Sequence, residues 1–155
     1  MRKKVSTTIL QEKVASYDNV PRALQELSND LNPKCTFKEF WDTYIDEHTI
    51  SLSQSKIFEL AGLSKTTGND VLNGKNNPKR DTCLALCFAI GMDVENTNRA
   101  LKYAGHAPLY EQVGRDIALI IFFRQHAAGT GKFKNVTELN LALDENNLEP
   151  LKVSK

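Results

Sequence analysis

The chain lacks the marks of a secreted, membrane-bound or metal-holding protein. Its three cysteines, Cys35, Cys83 and Cys87, are odd in number and have no disulfide-framework spacing, which reads as a reducing cytosol. Cys83 and Cys87 stand at i, i+4, but a closed zinc site takes four ligands. Cys35, His48, His106 and His126 supply no ligand-spaced pair, so the two thiols read as small core residues and no metal is expected. Long hydrophobic runs are missing too. The longest, Ile117 to Phe123, is far short of the roughly 20 residues of a membrane span and is expected inside a buried helix. No apolar stretch of signal length follows Arg2, Lys3 and Lys4, so a cytoplasmic protein without membrane contact is expected. Charge of one sign is also lacking: the net charge of +1 gives no global pull toward polyanions. There is no strand-like alternation, internal repeat or low-complexity tract.

Catalytic signatures are equally sparse. Gly129-Thr130-Gly131-Lys132 has the end of a phosphate-binding loop, but His126 takes the first Gly position, Phe133 replaces the Mg²⁺-binding hydroxyl, and a helix precedes it. His106, Arg115 and Asp116 offer one imidazole with neither a nucleophile nor paired carboxylates, which reads as structural. The chain is therefore not expected to be an enzyme, and no cofactor is expected.

What is present is concentrated between Ser53 and Arg80. Ser53 can cap a helix whose apolar residues Ile57, Phe58 and Ala61 form one stripe. Gly62 suits a position with φ > 0, Leu63 can plug the angle between two helices, and Ser64 can cap the next, which starts Lys65-Thr66-Thr67. In that second helix Gly68, Val71 and Leu72 fall on one side. Thr66, Asn69, Asp70 and Asn73 fall at i, i+3, i+4 and i+7 on the other. That outer stripe is wholly polar, with short side chains capable of paired hydrogen bonds to base edges in a major groove.

This stretch resembles the Cro and lambda-repressor-like class of helix-turn-helix proteins, the xenobiotic-response-element class. Gln54 stands at the family's first-helix Gln, Gly62-Leu63-Ser64 matches its Gly-hydrophobic-Ser turn, and Gly74 with Pro78 matches its closing Gly-x-x-x-Pro. Three positions depart: Phe58 replaces a small Ala, Gly68 a β-branched residue, and Leu72 a common Glu. Gly within a helix costs about 0.5–1 kcal/mol relative to Ala, so Gly68 is expected to permit a close packing contact. The domain-level resemblance covers about residues 50 to 105. Asn77-Pro78, Arg80-Asp81, Leu101 to Gly105, Pro108-Leu109-Tyr110, Arg115-Asp116 and the last Glu-Leu-Asn helix extend it toward a divergent bacterial or phage branch.

The rest of the chain reads as helix after helix. Residues 1–20 are expected to form a flexible arm. Pro21 opens a helix with Ala23, Leu24, Leu27 and Leu31 at helical spacing, stopped at Asn32-Pro33. Thr36 and Glu39 form a capping box before an aromatic stripe of Phe37, Phe40, Trp41, Tyr44 and Ile45, with Lys38, Asp42 and Asp46 facing away. Thr82 to Ile90 is apolar nearly all round and is expected to be the central helix. Gly91 ends it. Asp93 caps a helix carrying Val94, Thr97, Ala100, Leu101 and Ala104 inward to Gly105. His106 to Gln112 is a connector, Val113 to Ala127 an apolar helix, and Asn135 caps a last helix bearing Val136, Leu139, Leu141 and Leu143. The expected fold is all-α: a lambda-repressor-like helix-turn-helix bundle with extra N- and C-terminal helices. Residues 21–107 would hold the helical leader and repressor-like domain, with the helix-turn-helix at 53–74. Residues 108–155 would supply C-terminal helices packed on it.

Residues 49 to 80 hold Lys56, Lys65, Lys75, Lys79 and Arg80 against Glu59 and Asp70, a local balance of +3, so the remainder sums to −2. The outer faces of the two preceding helices are acidic and should not lie on DNA. The resemblance implies a transcriptional regulator that binds double-stranded DNA, with a homodimer as the form suited to two half-sites. Gln54, Lys75 and Lys79 would contact phosphates, Thr66, Asn69, Asp70 and Asn73 would face base edges, and Lys65, Thr67 and Asn76 would flank them. The competing reading is an adaptor or inhibitor that uses the same fold on a regulatory protein partner without reading DNA.

Overall fold

The computed structural model describes residues 36–153; the arm at 1–20, the helix from Arg22 to Leu31 and Cys35 lie outside the described residues. Every regular element among the described residues is a helix, and none is a strand. The helices are α1 (Phe37–Glu47), α2 (Gln54–Ala61), α3 (Lys65–Leu72), α4 (Arg80–Ala89), α5 (Val94–Tyr103), α6 (Gly114–Ala127) and α7 (Val136–Glu145).

Local chemistry sets most of the starts. Thr36, Ser53, Ser64, Asp93 and Asn135 each accept, through a side-chain oxygen, a hydrogen bond from the backbone N–H three residues on. α4 and α6 are the exceptions, starting behind Lys79 and Val113 without a side-chain cap. α4 begins at Arg80 rather than Thr82. Its first turn is held instead by long-range pairs to Arg80 and Asp81.

The core is organised around α4, whose residues Thr82 to Ala89 are all buried, as is Ile90 after it. Such all-round burial requires neighbours on every side. α2, α5 and α7 pack directly on α4, α1 packs on α3 and α5, and α6 packs on α5 and α7. Phe88 of α4 meets Phe123 of α6 with ring centroids 5.3 Å apart. The aromatic stripe of α1 is core for Phe37, Phe40, Trp41 and Tyr44, whereas Ile45 and, on α5, Val94 are only half-buried.

One expectation is corrected. The helix containing Ile117 to Phe123 is not buried all round, since Ile117 is 43% and Ile121 48% exposed. α6 sits at the edge of the bundle and needs only one apolar face there, which Leu119, Ile120 and Phe123 supply. On α7, Leu141 is 60% exposed while Ala142 takes the inward position. Leu139 and Leu143 are one turn apart on the packed side, and Leu141 falls between them on the opposite side.

Beyond α7 the chain returns across the bundle as an extended strap. Leu151 is 3% exposed, and Asn140 grips its backbone in both directions, donating to its carbonyl at 3.2 Å and accepting from its N–H at 2.8 Å. No described helix is long and apolar enough to cross a membrane.

Candidate functional site

α2 and α3 are two eight-residue helices joined by Gly62, Leu63 and Ser64. Gly62 ends α2 at φ 73°, a left-handed conformation that a side chain resists. Leu63 is buried at the angle between the helices. α3 then comes unusually close to α2. A Cβ placed on Gly68 would lie 2.4 Å from the Phe58 ring, so only glycine fits beneath that ring.

With Gly68, Val71 and Leu72 buried, the other side of α3 turns outward. Thr66 and Asn73 are exposed, and Asn69 and Asp70 are half-buried between them. Thr67, half-buried in the first turn, is tied to the Ser64 cap. Its hydroxyl accepts from Ser64 Oγ at 3.0 Å, and its N–H donates to the same oxygen at 3.2 Å. Lys65, at the start of α3, and Gln54, at the start of α2, are both exposed.

The loop after α3 carries Lys75, Asn76 and Lys79, all exposed, and it is anchored from behind. Asn76 N–H donates to the Asp70 carbonyl at 3.0 Å, and Asn77 Nδ2 donates to the Ala104 carbonyl at 2.6 Å. His106 Nε2 lies 2.7 Å from the Pro78 carbonyl. A carbonyl only accepts, so His106 carries a proton on Nε2. These bonds anchor the backbone that carries Lys75 and Lys79.

Electrostatics narrows the basic set. Lys56 pairs with Glu59 at 3.6 Å and Arg80 with Asp116 at 3.0 Å. Among the described residues, Lys65, Lys75 and Lys79 have no ion pair, and neither does Asp70. α3 and the loop after it thus carry three exposed lysines without an ion pair, together with a short polar stripe that holds one carboxylate.

A residue the sequence reading placed elsewhere also borders this surface. Lys38 of α1 runs alongside Gly74, where a Cβ would come within 2.9 Å of Lys38 Cδ. It pairs with Asp42 as well. Between the start of α1 and the loop lies a cleft of about 380 Å³, bordered by Thr36, Lys38, Glu39, Asn73 and Asn76. No local signal links Lys38 to Gly74; the packing of α1 on α3 brings them together.

The other tempting groups are committed to structure. Arg80 donates to both oxygens of Asp116 and to the carbonyls of Ala107 and Pro108. Arg115 donates to Asp81 at 2.9 Å. Two adjacent Arg-Asp couples thus pair crosswise between α4 and α6. Burial pushes the Cys87 thiol well above its ordinary range, and neighbouring Cys83 adds to the shift, so that thiol stays protonated and unreactive. No group of three or more side chains able to hold a metal occurs among the described residues. No protein-family model, curated protein or solved structure matches the chain.

Proposed function

We propose that the chain is a DNA-binding transcriptional regulator of the Cro and lambda-repressor-like helix-turn-helix class, with α3 as the helix that enters the major groove. One observation carries this reading. α3 buries one side completely and keeps on the other only short hydrogen-bonding side chains, flanked by three lysines that no carboxylate neutralises. Asn69 and Asn73 suit the paired donor and acceptor of adenine, Asp70 can accept from a cytosine amino group, and Lys75 and Lys79 suit phosphates. Gln54 and Lys65 contact the backbone beside them, Thr66 reaches base edges, and Thr67 and Asn76 hold the ends of the face.

Selection from a random duplex library tests the proposal. It predicts enrichment of a short motif bound at least about 10³-fold more tightly than random DNA at physiological salt. A shifted band at low salt does not count in favour, because three lysines alone give weak, salt-sensitive binding. Failure to enrich any motif overturns the proposal and leaves the adaptor reading, in which the same face meets a protein.

A further inference from the structure

α6 has two apolar faces. Asp116, Leu119, Ile120 and Phe123 turn into the bundle. Val113, Ile117 and Ile121, each four residues from the next, remain 47%, 43% and 48% exposed, and Tyr110 at the N-terminal end is 55% exposed. At a rise of about 1.5 Å per residue the three aliphatic side chains form a stripe about 12 Å long. Single exposed aliphatics are ordinary, but a contiguous row marks a contact surface.

The two ends of the stripe differ in charge. Glu111 stands beside Tyr110 at one end and Arg124 beyond Ile121 at the other; both are exposed and have no ion pair among the described residues. The acidic end is fixed to the helix. Tyr110 N–H donates to Asp116 Oδ2 at 2.9 Å, and Val113 N–H donates to the Tyr110 carbonyl at 3.1 Å.

We propose that this face is the interface of a homodimer, with α6 lying antiparallel to α6 of a second copy about a two-fold axis near Ile117. Reversing the stripe sets Ile117 against its counterpart and Val113 against Ile121. It also brings Tyr110 and Glu111 to Arg124, placing a guanidinium beside a carboxylate and a ring face. Parallel pairing sets Glu111 on Glu111 and Arg124 on Arg124. The stripe thus complements itself only when reversed, the arrangement that a two-fold axis perpendicular to the helices generates, and reversal also opposes the helix dipoles. One helix face is a small interface, so a weak dimer is expected. The inference does not depend on what α3 binds.

Sedimentation equilibrium of the full chain without DNA tests it, with passage from monomer to dimer expected between about 1 and 100 µM. Ile117→Asp, at an exposed position, should leave the helical circular dichroism unchanged and weaken association at least about tenfold. Glu111→Arg and Arg124→Glu should each weaken it about tenfold, because symmetry repeats the lost pair, and the double exchange should restore it to within about threefold. In a Cys35→Ser background, where the remaining thiols Cys83 and Cys87 are buried, mixed V113C and I121C chains should oxidise to a disulfide dimer and V113C alone should not. A monomer at every concentration overturns the proposal. So does a dimer indifferent to Ile117→Asp, which would leave the stripe to a different protein. Equal oxidation of V113C alone overturns the antiparallel arrangement. Since no DNA is present, neither failure bears on the library selection.

Discussion

Phe58 and Gly68 explain each other. The family resembled by this chain has a small residue at the first position and a branched one at the second, and here the bulk is exchanged between them. A methyl on Gly68 would reach 2.4 Å from a ring that is itself buried and unable to swing aside. Overpacking of about 1–3 kcal/mol therefore exceeds the gain of about 0.5–1 kcal/mol from Ala in a helix, so Gly68→Ala should destabilise in urea unfolding. Phe58→Ala should cost about 3–5 kcal/mol alone, and Phe58→Ala with Gly68→Val should cost less than the sum by at least about 1 kcal/mol. Additive costs would show that the two side chains do not share one space. On the outward side of the same helix the chemistry divides by role. Asn69→Ala should cost about 1–3 kcal/mol on the selected DNA site and relax its preference, while Lys75→Ala should weaken all sequences alike and flatten the salt dependence. Titrations on cognate and random duplexes at several salt concentrations separate the two, and two unchanged variants would sink this docking.

Between elements, the crossed pairs of Arg80 with Asp116 and Arg115 with Asp81 join the first turns of α4 and α6. Asp81 also accepts from Lys152 N–H at 2.8 Å, which draws the C-terminal strap into the same cluster. Asp116 is 3% exposed and accepts from both Arg80 and Tyr110 N–H, so its loss leaves the guanidinium without its counter-ion and the amide without its acceptor. Asp116→Ala should cost about 3 kcal/mol in chemical denaturation. Arg80 follows directly on the loop that carries Lys75 and Lys79. The same variant should therefore also raise amide hydrogen exchange in residues 75–80, and unchanged exchange there would show that the loop is held without the clasp.

For the whole molecule, pH sensitivity centres on His126, whose ring stacks on Phe88 with centroids 4.2 Å apart. Burial lowers its pKa below the ordinary value near 6.5, against a smaller opposing effect from the Phe88 backbone. The unfolded chain then binds the proton more readily than the native one. The stabilisation is complete above that ordinary value and is lost as pH falls through the depressed one. Urea midpoints measured from pH 7.5 down to 5 should fall for the natural chain and fall less for His126→Gln. Equal slopes would assign the pH dependence to other groups.

Helix identity and order were legible from local signals, because capping bonds span three residues and helical periodicity spans four. Thr36, Ser53, Ser64, Asp93 and Asn135 are all readable as caps from the residues alone, and Thr82 to Ile90 as the central helix. The outward face of α3 was legible for the same reason. Tertiary structure decided what depends on distant partners: Arg80 is spent on Asp116 across 36 residues, Asn77 is tied to Ala104 across 27, and Lys38 lies against Gly74. It also decided which apolar residues are covered. Hydrophobicity shows that a side chain gains by leaving water, but whether a neighbour is there to cover it depends on packing, which leaves Ile117, Ile121 and Leu141 exposed.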